Sequence, residues 1–207
     1  MRCFLISVLF VSIFGCKVTT VENFTKSEVK AEYKVQNPYF SNQEIDYVYK
    51  ADITVYGNEF SGILILKKIT PQKHRMVFTS QFGSTFFDIE FEKETHKINS
   101  IIEQLDRKII LNTLIRDFSL LVKETAIVAE RYYNDQYNVL ENQKDKRSNY
   151  YFYNQLDQKL DRIVHASKRK EKFIIIFNDI SGDQIAKNIQ IDHKNIKLTI
   201  ELNLLKK

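Results

Sequence analysis

Cys16 is the side chain whose chemistry and surroundings fit each other best. Its thiol follows Ile13-Phe14-Gly15 and an apolar run from Phe4 to Phe14 that only Ser7 and Ser12 interrupt. A cysteine sulfur is a soft nucleophile, suited to forming a thioether. Other reactive chemistry is thin. His74, His96, His165 and His193 lie far apart, and none stands at metal-ligand spacing from another. No serine occupies a Gly-x-Ser-x-Gly elbow, and no glycine-rich phosphate loop is present. Glu90-Phe91-Glu92-Lys93-Glu94 offers carboxylates, but as the polar face and end of a strand. The expectation is a protein that is not an enzyme and needs no cofactor or metal.

The elements around Cys16 give its thiol a context. Met1-Arg2-Cys3 supplies one positive charge ahead of the apolar run, the pattern of a secretory leader. The run falls short of the ~20 residues of a permanent spanning helix. Ile13-Phe14-Gly15-Cys16 resembles a lipobox, although Phe14 stands where that motif prefers a smaller residue. The resemblance implies a bacterial lipoprotein cut before Cys16, with a diacylglyceryl group and fatty acyl chains such as palmitate on that sulfur. Two or three chains exceed what stable anchoring needs. Lys17 follows, not the Asp that retains lipoproteins at the inner membrane in some bacteria, so the expected location is the periplasmic face of the outer membrane. Cys3 leaves with the leader, so no disulfide can form within the mature domain.

The net charge of +5 is spread over many acids and bases. That suits contact with anionic lipid head groups and is not a nucleic-acid footprint. The expected organisation is a signal peptide over 1–15, a lipidated cysteine and polar tether over 16–44, and one domain over 45–207, large enough for a real core.

Within that domain the hydrophobic period is mostly two. Tyr47, Tyr49, Ala51, Ile53 and Val55 alternate with polar residues, and Gly57-Asn58 turns the chain into a second apolar strand from Phe60 to Lys67. Further strands are expected over Arg75–Gln81, Thr85–Phe91 and His96–Gln104, in a consecutive antiparallel meander. At Asp106, a plausible N-cap, the period switches. Ile110, Leu111, Leu114, Ile115, Phe118, Leu121 and Val122 make one amphipathic helical stripe, with Arg116 and Asp117 on the polar side. Thr125–Tyr133 reads as one strand and Asn134–Asn149 as an exposed loop. Strands resume over Tyr150–Tyr153, Lys159–Ser167, Lys172–Asn178, Gln184–Asp192 and Asn195–Leu204. The expected fold is α+β, mostly β: about ten strands in an open, curved antiparallel sheet, an unclosed barrel wrapped around one prominent helix. Tyr132-Tyr133 and Tyr150-Tyr151-Phe152-Tyr153 offer stacking surfaces, about half of which should be core. Lys168-Arg169-Lys170-Glu171-Lys172 reads as a solvated turn, with lipid phosphates as the functional alternative.

Phe60-Ser61-Gly62-Ile63-Leu64, Phe78-Thr79-Ser80-Gln81-Phe82-Gly83, Phe86-Phe87-Asp88 and Leu105-Asp106-Arg107-Lys108 running to Leu121 are similar to small lipoproteins with a LolA/LolB-like fold. That resemblance implies a half-barrel with a helical lid and an apolar cavity for lipid or the acyl chains of a lipoprotein client. The cavity candidates are Ile53, Val55, Leu64, Leu66, Val77, Phe87, Ile89, Leu114, Phe118, Ile200 and Leu202. Phe82, at a hairpin tip, is the membrane-contact candidate, with folding back onto its own sheet as the alternative. A filled barrel serving as a structural or interaction lipoprotein of an envelope complex is the rival reading.

Overall fold

The computed structural model describes residues 19–28 and 33–206. Cys16, the leader and Lys17 lie outside the described residues. After a 3-10 turn at Thr19–Val21 come the short strands β1 (Thr25–Ser27) and β2 (Lys34–Gln36). A meander follows: β3 (Asp46–Val55), β4 (Asn58–Thr70), β5 (Lys73–Ser80), β6 (Thr85–Glu92) and β7 (Thr95–Ile101). The helix α1 (Lys108–Val122) leads into β8 (Thr125–Ile127) and β9 (Glu130–Tyr133). Three hairpins complete the chain: β10 (Tyr137–Lys144) with β11 (Arg147–Asn154), β12 (Leu160–Ser167) with β13 (Lys170–Ile180), and β14 (Ala186–His193) with β15 (Leu198–Lys206).

Thirteen strands pair antiparallel in one sheet ordered β1-β9-β10-β11-β12-β13-β14-β15-β3-β4-β5-β6-β7. Its two halves join where the last strand meets the first long one, with Ile200 opposite Ile53 and Leu202 opposite Ala51. The terminal strands do not pair with each other, so the sheet is a half-barrel, as the alternation predicts. Helix α1 crosses its concave side. The Phe118 ring meets Phe87 on β6, with centroids 5.6 Å apart, while the Arg116 guanidinium lies over Phe173 on β13. Those two strands stand far apart in the sheet order, so the helix bridges the concavity.

Gly62 lets β4 and β5 approach closely. A Cβ there would lie 1.9 Å from the Thr79 carbonyl oxygen, which no side chain tolerates. Phe78 and Phe86 pack beside this point, with centroids 4.7 Å apart.

Several expectations are corrected. The chain forms fifteen described strands, not about ten. Residues 137–144 and 147–154 form a hairpin where a loop over Asn134–Asn149 was expected. Thr125–Tyr133 is two strands in different sheets, because β8 pairs with β2 and β9 with β10. The helix is capped at Arg107, not Asp106, and by no side chain. Part of the stretch expected as a tether, 16–44, packs against the domain. Val35, Tyr39 and Phe40 are buried in the main core, and the Asn37 amide donates to the carbonyls of Leu121 (2.9 Å) and Lys123 (3.3 Å) at the end of α1.

The convex face carries a second, smaller core. Val21 packs there with Val139, Tyr150, Phe152, Val164 and Ala166, and Phe24 meets Phe152 edge-on. Both faces of the Tyr150–Tyr153 strand are thereby used: Tyr150 and Phe152 lie beneath the N-terminal segment, and Tyr151 is in the main core, while Tyr133 stays exposed.

Candidate functional site

Ten of the eleven cavity candidates converge. Ile53, Val55, Leu64, Leu66, Phe87, Ile89, Leu114, Phe118, Ile200 and Leu202 are each at most 1 % exposed and belong to one core cluster beneath α1. Val77 is the exception. Leu64 and Leu66 pair with Phe78 and Met76, whereas Val77 pairs with Ile65 on β4 and Asp88 on β6. Successive strand residues point to opposite faces, so Met76 and Phe78 line the interior and Val77 faces outward. Burial follows the same phase, with Met76 and Phe78 buried and Val77 half-buried. The space beneath the helix is thus occupied by side chains of the sheet and of α1 itself.

Polar groups seat the helix in this apolar bowl. Asp117, expected on the polar side, is fully buried. Its Oδ2 lies 3.0 Å from Nε2 of His193, whose side chain is also buried. The other ring nitrogen of His193 lies 3.0 Å from the Leu198 carbonyl oxygen. A carbonyl only accepts, so Nδ1 carries a hydrogen there, while the close approach of Nε2 to Oδ2 lacks hydrogen-bond geometry. Arg116 Nη2 lies 3.4 Å from the other carboxyl oxygen of Asp117. Phe173 stacks between His193 and His165, with centroids 5.2 and 4.9 Å away. The His165 ring contacts Asn149 Oδ1 at 2.7 Å. Burial, then the Arg116 guanidinium, pushes the His165 imidazole down to about 4. A signal for the burial of Asp117 is present in the sequence: it falls on the row Ile110, Leu114, Asp117, Leu121, spaced four and three apart along one helix face. His193 carries no comparable signal, since only the β14–β15 connection brings it to the helix.

Where the helix flank meets β10, β11 and the β6–β7 turn, a cleft of about 270 Å³ opens to solvent. Arg116, Lys123, Lys144 and Arg147 line it together with the single carboxylate Glu94. Glu94 bridges Lys123 at 2.7 Å and Lys144 at 3.5 Å. The hydrogen bond from Lys123, with its charge, holds the Glu94 carboxyl below the usual range. A deeper polar atom is the Tyr151 hydroxyl, buried in the main core with no hydrogen-bond partner among the described residues; burial raises its pKa. On the other flank, the buried Lys68 ammonium contacts Glu124 at 2.7 Å. His74 accompanies it beneath the Phe40 carbonyl at 3.0 Å, and burial lowers its imidazole pKa. Among the described residues no group of three or more His, Cys, Asp or Glu is placed to hold a metal ion.

Phe82 projects from the β5–β6 turn and is 98 % exposed. It does not fold back onto its sheet. Gly83 beside it adopts φ +84°, a value that favours glycine.

No protein-family model matches the chain, and no curated protein does so significantly. Solved structures do. A LolA superfamily protein of Nitrosomonas europaea superposes with a TM-score of 0.52 at 10 % identity, over 82 % of this chain and 87 % of that one. A domain described as an outer membrane lipoprotein-sorting protein, from Vibrio parahaemolyticus, gives 0.45 at 8 % identity over 77 % and 83 %. A DUF1329 family protein from Desulfovibrio piger gives 0.41 at 7 % over 77 % and 83 %. The first of these establishes a shared LolA-like half-barrel.

Proposed function

We propose that this protein is a non-enzymatic, membrane-anchored lipoprotein whose half-barrel takes up the acyl chain of a lipid or of an acylated client, with α1 as the lid. One observation carries this reading most. The apolar interior is closed on its open side by a single helix, and that helix is seated by a buried polar pair, Asp117 and His193. A purely structural core has no need of a charged side chain at its centre, where burial of an ion is costly. The packed interior is then the closed state, and an acyl chain enters by displacing Leu114 and Phe118. The cations of the cleft beside the helix suit an anionic head group, and the unpartnered Tyr151 hydroxyl suits an ester carbonyl. Residues of the chain carry out the rest: Cys16, through its acyl chains, would fix the protein on the periplasmic face of the outer membrane. The LolA-like fold supports an envelope role for this anchor.

The rival reading is a filled scaffold in an envelope complex, and the density of the interior favours it. Native mass spectrometry of protein extracted from membranes, followed by titration with a fluorescent C16 fatty acid, separates the two. Saturable one-to-one binding is expected for the carrier. No co-extracted lipid together with no binding leaves the scaffold.

A further inference from the structure

We infer that the end of the sheet bearing the β10–β11, β12–β13 and β14–β15 turns docks onto an anionic phospholipid surface. The pairing places these three turns side by side at one end. The first carries Lys144, Lys146 and Arg147, all exposed. The second carries Lys168, Arg169 and Lys170, and the third Lys194 and Lys197, again all exposed. Against these eight cations stand Asp145, Glu171, which Lys194 engages, and Glu94, which bridges Lys144 from the β6–β7 turn. The opposite ends of the same strands are acidic: Asp135, Asp157, Asp179 and Asp183 are exposed at their turns. The domain is therefore electrically polar along its strands. The β12–β13 turn sharpens the point, because Lys168 and Arg169 both take positive φ (51° and 64°). Such turns favour Asn and Gly, and here they hold two cations at the tip.

The N-terminal segment reaches the same end independently. Thr20 Oγ1 donates to Glu171 Oε1 at 2.6 Å, beside the β12–β13 turn, and Val21 is buried in the convex core. Cys16 precedes Thr20 by four residues, a span of at most about 14 Å of extended chain. An acyl anchor on Cys16 thus draws the basic turns toward the lipid head groups. The exposed Tyr56 stands beside Lys194 and Lys197 at this end as well, where it would meet the interface.

This orientation rests on the anchoring proposed above, and the experiment keeps the two apart. The sequence contains no tryptophan, so Tyr56→Trp and Leu156→Trp each create a single reporter. Both positions are exposed, and Leu156 lies on the opposite, β11–β12 turn. The full chain is reconstituted into phosphatidylglycerol-containing vesicles with brominated acyl chains, and its mass reports lipidation of Cys16. Quenching is expected for Tyr56→Trp and not for Leu156→Trp. Lys168→Glu with Arg169→Glu should weaken vesicle binding of the unlipidated Cys16→Ser chain at least about tenfold. Lys159→Glu, at the far end, should change it less than about twofold. Equal quenching of both reporters, or of neither, in the lipidated protein overturns the orientation while the anchor stands. If the mass shows no lipid, the anchor fails, and the absence of salt-sensitive binding to anionic vesicles then overturns the docking surface too.

Discussion

Asp117 meets His193 in the middle of the bowl, where neither side chain touches water. Removing one member leaves the other buried and uncompensated, which is more costly than losing an exposed pair. Asp117→Ala is expected to cost about 3 kcal/mol of unfolding free energy, measured by urea denaturation; a cost below about 1 kcal/mol would mean that the pair does not seat the helix. His165 adds a pH dependence. Its folded imidazole titrates near pH 4, against about 6.5 in an unfolded chain. Between these values the unfolded chain holds a proton that the folded one lacks. The contribution to stability is therefore fully present above about pH 6.5 and declines as the pH falls toward 4. His165→Gln is expected to flatten the loss of urea midpoint across that window. An unchanged slope would assign the acid sensitivity to another group, His74 being the nearest in character.

At the scale of elements, the two ends of α1 are held differently. Its start has no side-chain cap, and its last turn is tied by Asn37 from a segment far earlier in the chain. Asn37→Ala should cost about 1 kcal/mol and raise hydrogen exchange first at residues 119–123; uniform exchange along the helix would argue against a local cap. Gly62→Ala drives a methyl group into the Thr79 carbonyl. Relief requires β4 and β5 to part, at a cost of about 3 kcal/mol, read as a fall in thermal midpoint; a midpoint within error of the parent would refute the close approach. These elements were unequally legible in the sequence. Strict alternation gave the inward faces of β3, β6 and β15 directly. Met76-Val77-Phe78 is apolar without a break, so alternation alone cannot set its phase; pairing with β4 does, and it turns the cavity candidate Val77 outward. The β10 strand reads Tyr137-Asn-Val-Leu-Glu-Asn-Gln-Lys144. Its polar residues hide a strand whose stability comes from two neighbours and from a cover on the convex face. Tyr39 and Phe40 were missed as core because they form an isolated apolar pair in a polar stretch.

For the whole molecule, the proposed reading makes the core of a half-barrel closed by one helix its stored binding surface. The ten candidates share one buried interior, yet sequence patterning cannot say whether such a surface surrounds empty space or its own lid. In the structure Leu114 and Phe118 of α1 fill the bowl. On the proposed reading, function depends on exchange between helix and acyl chain at one surface. Methyl NMR of Ile53, Leu64, Leu66, Leu114, Ile200 and Leu202 during titration with palmitate tests this most directly. The account predicts saturable shifts at these buried methyls, stoichiometric with ligand, and faster amide exchange along Lys108–Val122 as the helix yields its place. Shifts confined to exposed methyls such as Leu156, or none at all while the helix stays protected, would contradict it and leave a filled scaffold.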